Sequence, residues 1–501
     1  MKKVLLDTNI LVPLEDSIVV PDTYSSLLRR LSESACTVFV HRASFDDVKR
    51  DRNNVRREQS TSKLRKYACR EKSDRSTDQL SDLFGTISSE NDLSDCHILC
   101  AVYDNAVDAL VTEDNEMHRR ARRSGIHERV FRVREMLDFL GAAQGAQTGT
   151  LSFVEARYCY QVNADDPIFE SLTLDYRGFR NWWRACCNSD RRCWVVRDNT
   201  EVAGLVVYKD ENSNGGDGRF LGRRVLKLCT FKVSEKHRGG RLGEQLLKQS
   251  LWFAYSKQYQ VVYLTVFPKQ QSLADLLVNY GFALHSVHDG ELVYVRDFED
   301  LRDSADSYEW HLLNYPVLGK DPNLSAVVPI KSEFHKRLLP EASKCRTPDF
   351  FDGLWSSDLK ERHIPATSIR KVYVCGSNLK LLPRGTRLYF YVSSNDELTA
   401  SQEISAVGIL EDYREVFSVE ELQRLTAKRS VYREHELRQI FESGRRTRLM
   451  NFIIVGIVEP RISLAELTEA NILKAAPQSI TRLSSEASHW LAERARLSHL
   501  S

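Results

Sequence analysis

Two sets of residues in this chain have the types and spacing that chemistry requires. The first is a series of carboxylates placed where apolar, β-prone runs end. Asp7 follows Lys3–Leu6, Asp46 and Asp47 follow Thr37–His41, Asp95 opens an apolar helical pattern, and Glu113, Asp114 and Glu116 follow 109–112. Open α/β sheets bind their ligands outside the carboxyl ends of strands. Carboxylates gathered in one cleft do not all stay ionised without a compensating cation, and hard oxygen ligands select Mg2+ or Mn2+. A divalent ion that bridges a phosphate and activates a water hydrolyses phosphodiesters.

The second set lies near the middle of the chain. An apolar run, Val225–Val233, breaks into a loop holding Arg238, Gly239, Gly240 and Gly243. A helical pattern follows, with Leu246, Leu247 and Leu251 on one face. Glycines let backbone approach a bound group closely, and the amide donors and dipole of a helix start favour an anion. Strand, glycine-rich loop and helix in that order suit a pyrophosphate, although the same pattern serves an ordinary strand-to-helix turn.

The elements that must position these residues follow. After the glycine-rich loop come a strand pattern over 260–267, a helix over 273–280 and a stop at Tyr280-Gly281-Phe282. Over about residues 150–310 this order resembles the GNAT acetyltransferase superfamily, in which Arg/Gln-x-x-Gly-x-Gly/Ala cradles the pyrophosphate of acetyl-CoA. The resemblance implies an α+β domain that binds acetyl-CoA through Phe231, Val233, Arg238, Gly239, Gly240, Arg241, Leu242 and Gly243. Two positions depart from the family. Arg241 stands where its first glycine is usual, and Leu277 stands where a tyrosine general acid is often found. Amine acetylation needs a base for the attacking amine and amide donors for the thioester carbonyl. Glu235, just after Val233, and Tyr280, beside the Gly-Phe pair, are the candidate acid–base residues.

The acidic series spans residues 1 to about 145. Asp7-Thr8-Asn9, the pair Asp46/Asp47, Asp95 with its helix, and Thr112 to Glu116 resemble the PIN domain, an α/β family dominated by metal-dependent ribonucleases. Carried over by position, the metal ligands are Asp7, Asp46, Asp95 and Asp114, with Asp47 and Glu116 as neighbours; either Asp46 or Asp47 faces inward. The basic run His118 to Arg123, with Arg129, Arg132 and Arg134, is either a phosphate-neutralising surface or a solvated helix face.

A small, polar stretch at 141–149 reads as a linker. From about residue 326 the pattern changes to short β-prone runs with Gly/Pro turns, which predicts a small β barrel with attached helices. Arg370 to Asn378, Leu382 to Tyr391, Ala427 to Tyr432 and Ala476 to Ile480 resemble the ASCH domains of the PUA-like superfamily, which are associated with RNA. That resemblance makes Lys371, Lys428, Arg429, Gln478 and Ser479 the polar contact residues. Tyr389 and Tyr391 alternate on a strand and serve either stacking on bases or the core.

At 501 residues the chain suggests about three domains. The 42% hydrophobic and 28% charged content is that of a soluble globular protein, and a net charge of +2 leaves nucleic-acid binding to local clusters. Eleven cysteines without a Cys-x-x-Cys pair indicate neither a disulfide framework nor a zinc ribbon, and a reducing cytoplasm is the expected setting. No run of apolar residues reaches the length of a membrane span. The reading is a PIN-like α/β domain (1–145), a GNAT-like α+β domain (150–312) and an ASCH/PUA-like β-barrel domain (326–498). The expected activity is acetyl-CoA-dependent N-acetylation tied to RNA. The alternatives are a Mg2+- or Mn2+-dependent ribonuclease in which CoA regulates, and a binding protein with both centres degenerate.

Overall fold

The computed structural model describes residues 3–14, 22–50, 54–143, 153–198, 200–211, 220, 222–237, 241–322, 324–343, 368–393, 402–426, 431–432, 434–443 and 446–499. The chain divides into two compact units, Met1–Thr148 with Ser418–Lys428, and Gly149–Phe417 with Arg429–Ser501.

The first unit is built on a five-stranded sheet, β1 (Lys3–Leu6), β2 (Thr37–His41), β3 (Ala68–Arg70), β4 (Ala109–Val111) and β5 (Val130–Phe131), in the order β3-β2-β1-β4-β5. Every pairing is parallel. The chain leaves β1 toward β2 and β3, then returns on the other side to β4 and β5. The gap beyond the carboxyl ends of β1 and β4 is therefore the switch point of the sheet, where open α/β folds bind ligands. Val4, Leu6, Val40 and Val111 pack on one face, and Leu5, Phe39 and Leu110 on the other. This two-sided burial is why the strands read as continuous apolar runs. Three helices frame the switch point, α1 (Arg42–Lys49), α2 (Glu90–Tyr103) and α3 (Asn115–Arg123). Each begins at a side-chain cap: His41 Nδ1 accepts from Ala43 N, Ser89 forms a capping box with Asp92, and Asp114 accepts from Met117 N.

The second unit contains two sheets. One comprises β6 (Glu155–Tyr158), β7 (Arg192–Asp198), β8 (Glu201–Glu211), β9 (Val225–Val233), β10 (Val261–Val266), β11 (Ala283–His288) and β12 (Glu291–Asp297), ordered β11-β12-β10-β9-β8-β7-β6. Only β9 and β10 pair in parallel, and helix α4 (Leu242–Ser256) makes the crossover that a parallel pair requires. Helix α5 (Gln271–Asn279) follows β10.

The other sheet comprises β13 (Ser325–Lys331), β14 (Arg370–Cys375), β15 (Arg387–Ser393), β16 (Glu403–Val416), β17 (Thr447–Ser463), β18 (Thr481–Arg482) and β19 (Leu497–Ser498). Its order is β14-β17-β16-β15-β13-β18, with β19 on β17. The first strand in this order, β14, and the last, β18, are not paired with each other among the described residues. The register of the long pair β16/β17 shifts at three places, as at β-bulges. Tyr389 and Tyr391 are fully buried with Val327, Ile404 and Ile462, so they belong to the core and are not stacking platforms.

The two sheets of the second unit are not separated by a linker. The charged stretch between them carries helix α6 (Ser307–Leu313), with Tyr308 and Tyr315 buried, and Trp252 Nε1 on α4 donates to Tyr315 Oη at 2.6 Å. The segments expected as 150–312 and 326–498, apart from Ser418–Lys428, fall in one compact unit.

Candidate functional site

In the second unit, β9 and β10 start together and then part. Their pairing runs from Val225↔Val261 to Leu228↔Leu264, whereas β9 continues to Val233. Across β8, Val207 faces Thr230 and Tyr208 faces Leu228, so Cys229 is an extra residue at the point of parting. Ser234 N donates to Ala203 O of the β8 side at 2.9 Å. Backbone donors alternate along a strand, so the amides of Phe231 and Val233 point the other way, into the space β10 has left. That cleft presents main-chain donors suited to an extended amide or a carbonyl oxygen.

The loop at the end of β9 leads to the start of α4. Arg238, Gly239 and Gly240 lie outside the described residues. Arg241 occupies the N-cap position in the left-handed conformation, φ 59° and ψ 9°, and no side chain caps the helix. For a non-glycine residue this conformation is disfavoured by roughly 1–2 kcal/mol. The backbone shape that a glycine would supply is thus kept although the residue is arginine. The leading amides of α4 have no intrahelical acceptor, and with the helix dipole they form a site for an anion. Gly243 has a different use: a Cβ there would meet Leu276 Cδ2 at 3.3 Å, so its small size lets α4 and α5 approach.

His237, buried beside this loop, was not singled out in the sequence. Its ring bonds Ser234 Oγ at 2.6 Å through Nδ1 and Asp198 Oδ2 at 2.9 Å through Nε2, tying the loop to the end of β7. Glu235 is exposed on the turn after β9. Tyr280 corrects an expectation. It is 2% exposed, its ring lies 5.8 Å from that of Tyr315, and the Arg370 guanidinium sits 6.0 Å from its centre. Burial drives its hydroxyl well above the ordinary tyrosine range. It is packed in the interior, against Tyr315 and Arg370. Leu277 is fully buried as well.

In the first unit, Asp7 and Asp114 meet at the switch point. Thr112 Oγ1 donates to Asp7 Oδ2 at 2.7 Å and accepts from Asp114 N at 3.1 Å. Thr8 N donates to Asp7 Oδ1 at 2.7 Å. Burial pushes Asp7 up to about 6, against the hydrogen bonds from Thr112 and Thr8 and with help from the charges of Asp114 and Asp47. Asp95, projecting from α2, is pushed up to about 8 by burial first, then by Asp7, Asp114 and Asp47.

The second acid is Asp47 and not Asp46. Asp46 turns outward to Lys72 at 2.8 Å and Lys49 at 3.2 Å, and its hydrogen bond to Lys72 holds it below the usual carboxylate range. Burial raises Asp47, which pairs with Arg50. The donor set is all oxygen, as Mg2+ or Mn2+ requires. Among the described residues, however, no three His, Cys, Asp or Glu side chains converge closely enough to share one ion.

Glu116 pairs with Arg119 and Arg120, and Glu113 accepts from Val133 N, at the start of the helix Val133–Ala143, at 2.9 Å. The basic run is largely committed to the protein itself. Arg120 is buried on the carbonyls of Phe84, Gly85 and Thr86, Arg129 donates to Asp108 O, and Arg132 pairs with Glu113.

Of the expected RNA contacts, Lys371 is fully buried and paired with Glu341 at 3.5 Å, which removes it from any surface. Lys428 and Arg429 lie outside the described residues, and Gln478 and Ser479 are exposed.

Residues 156–282, from β6 to the turn after α5, match the model of the Acetyltransferase (GNAT) family. Over these residues the chain is similar to GNAT acetyltransferases. N-acetyltransferase 8F1 of Mus musculus is 30% identical over 89 residues, which cover 18% of this chain and 38% of that protein. The chain therefore spans less than two-fifths of the length of this curated relative. Among solved structures, ASCH from Zymomonas mobilis superposes with a TM-score of 0.26 and 16% identity, covering 35% of this chain and 98% of its own. Arabidopsis thaliana NAA60 in complex with a bisubstrate analogue gives a TM-score of 0.23 and 18% identity, covering 29% and 97%.

Proposed function

We propose that this chain transfers the acetyl group of acetyl-CoA to an amine. The observation that carries the reading is the conjunction, within the GNAT stretch, of a parted strand pair and an uncapped helix start at the end of the same strand. In this reading the leading amides of α4 would hold the pyrophosphate. The amides of Phe231 and Val233 on β9 would hold the extended arm of acetyl-CoA by main-chain hydrogen bonds. An amine attacks the thioester carbon, the carbonyl oxygen gains charge against a main-chain donor, and CoA leaves as the thiolate. Glu235, exposed beside this cleft, is the proposed base. RNA is the proposed partner, through the ASCH-like C-terminal sheet and the PIN-like first unit, in a cytoplasmic setting. Among the described residues no helix is long and apolar enough to cross a membrane. Titration of the full-length chain with acetyl-CoA tests the reading. Arg238→Ala combined with Gly243→Val should weaken binding at least about tenfold, or about 1.4 kcal/mol; unchanged affinity would overturn it.

A second reading is favoured by the mutual repulsion of Asp7, Asp47, Asp95 and Asp114 at the switch point. In it the first unit is a Mg2+- or Mn2+-dependent ribonuclease and acetyl-CoA regulates. It expects RNA shortening that requires added metal and disappears in Asp7→Asn and in Asp95→Asn. Cleavage that survives both changes would exclude this cleft.

A further inference from the structure

Helix α4 offers its first turn to the cofactor and another face to the C-terminal sheet. Glu244, the third residue of the helix, accepts a hydrogen bond from the backbone amide of Arg370 at 2.7 Å. Arg370 opens β14, which stands at the end of the strand order. On its inner side β14 is satisfied by β17, where Ile454 N donates to Ile369 O at 2.9 Å. By alternation the Arg370 amide points to the outer edge, where among the described residues β14 has no ladder partner, and Glu244 takes it. One turn along α4, Lys248 is buried and bonds Glu341 of α7 (Pro340–Ser343). Lys371, next to Arg370, reaches the same carboxylate. Burial alone would raise Glu341, and the two ammonium groups bring it below the ordinary range instead. Two successive turns of α4 are thereby fastened to two adjacent residues of β14.

This arrangement bears on the cofactor. A carboxylate in the first turn suits the helix dipole but repels a pyrophosphate bound at the same helix start. The bond to Arg370 gives this carboxylate another use, because it fixes the direction in which the leading amides point. Displacement of a binding group by about 1 Å is enough to degrade such a site.

We propose that Glu244 is a positioning residue for acetyl-CoA, and that strand β14 of the C-terminal sheet is, through it, part of the cofactor site. The inference rests on the reading of the α4 start as the pyrophosphate site. It makes the C-terminal sheet a requirement for cofactor binding and not an appended module.

The test is calorimetric titration of the full-length chain with acetyl-CoA, with a thermal melt of each variant. Glu244→Gln keeps an oxygen that accepts from the Arg370 amide and should bind within about twofold of the native chain. Glu244→Ala should bind at least about tenfold more weakly. If Glu244 acted only through its charge, both variants would bind more tightly. Arg370→Pro removes the amide at the first residue of an edge strand, where proline is tolerated, and should reproduce the loss with the Glu244 charge in place. Arg370→Ala, which retains the amide, should not. Should Glu244→Ala fail to fold, the Arg370 pair decides alone. If Glu244→Ala and Arg370→Pro both bind like the native chain, the positioning role is overturned and the pyrophosphate reading stands. A native chain that does not bind acetyl-CoA overturns both.

Discussion

Thr112 Oγ1 donates to Asp7 Oδ2 at 2.7 Å, and the bond joins the ends of two strands that are 105 residues apart in sequence. Thr112 is fully buried and serves three partners, because it also accepts from the Asp114 amide and from Asn9 Nδ2 at 3.2 Å. The threonine thereby sets the spacing of the acids across the switch point. Thr112→Val keeps the shape and removes all three bonds, leaving a buried carboxylate less well satisfied. A loss of about 1–3 kcal/mol is expected, read as a lower urea midpoint for the unfolding of the first unit. An unchanged midpoint would mean that water replaces the hydroxyl.

Tyr280→Phe separates packing from catalysis. The Tyr280 hydroxyl is buried and has no hydrogen-bond partner among the described residues. Removing a buried, unsatisfied hydroxyl while keeping the ring is neutral or stabilising by up to about 1 kcal/mol. The variant should therefore melt at the native temperature or above it and acetylate at the native rate. A tenfold fall in turnover with intact acetyl-CoA affinity would restore Tyr280 as a proton donor and require the loop to open.

Gly281, the residue after it, has φ 83°, and a Cβ there would lie 1.8 Å from Leu313 O and 2.9 Å from Leu313 C. The obstacle is backbone at the end of α6, which cannot rotate aside. Gly281→Ala should cost well over the ~1 kcal/mol typical of an incompatible glycine replacement, because α6 must shift from the sheet. A melting temperature within a degree or so of the native value would show that α6 yields easily.

These contacts explain which parts of the molecule the sequence discloses. Asp7, Asp95 and Asp114 are legible because strand ends and helix starts have local signatures, and the switch point lies where a parallel sheet must put it. Asp46 and Asp47 are not separable in that way. Neighbours on a helix point about 100° apart, and only the positions of Lys72 and Ser94 decide which faces the cleft. That a helix starts after the glycine-rich stretch is legible, while the conformation of Arg241 is not, since left-handed arginine has no sequence mark. Tyr280 and Lys371 are misread for one reason. Each looks like a surface group in its own segment and is covered by another segment, Tyr280 by Tyr315 and Arg370, and Lys371 by Glu341. His237 and Asp198, 39 residues apart, likewise form a pair that no local pattern announces.

Lys371 gives a test of that burial with a defined pH dependence. Desolvation pulls its ammonium down to about 8 from an ordinary 10.5, against the attraction of Glu341 and with the repulsion of Lys248. Between these values the unfolded chain binds more protons at this site than the folded chain, so native stability rises with pH from about 8 to about 10.5. Below about 8 the full cost of the buried charge is present. Lys371→Met removes that cost and leaves Glu341 paired with Lys248. The variant should therefore be more stable than the native chain at neutral pH, and its advantage should shrink steadily toward about pH 10. Melting curves over that range measure it directly. If Lys371 were instead an exposed contact for RNA, the substitution would leave stability unchanged at every pH and reduce RNA affinity alone.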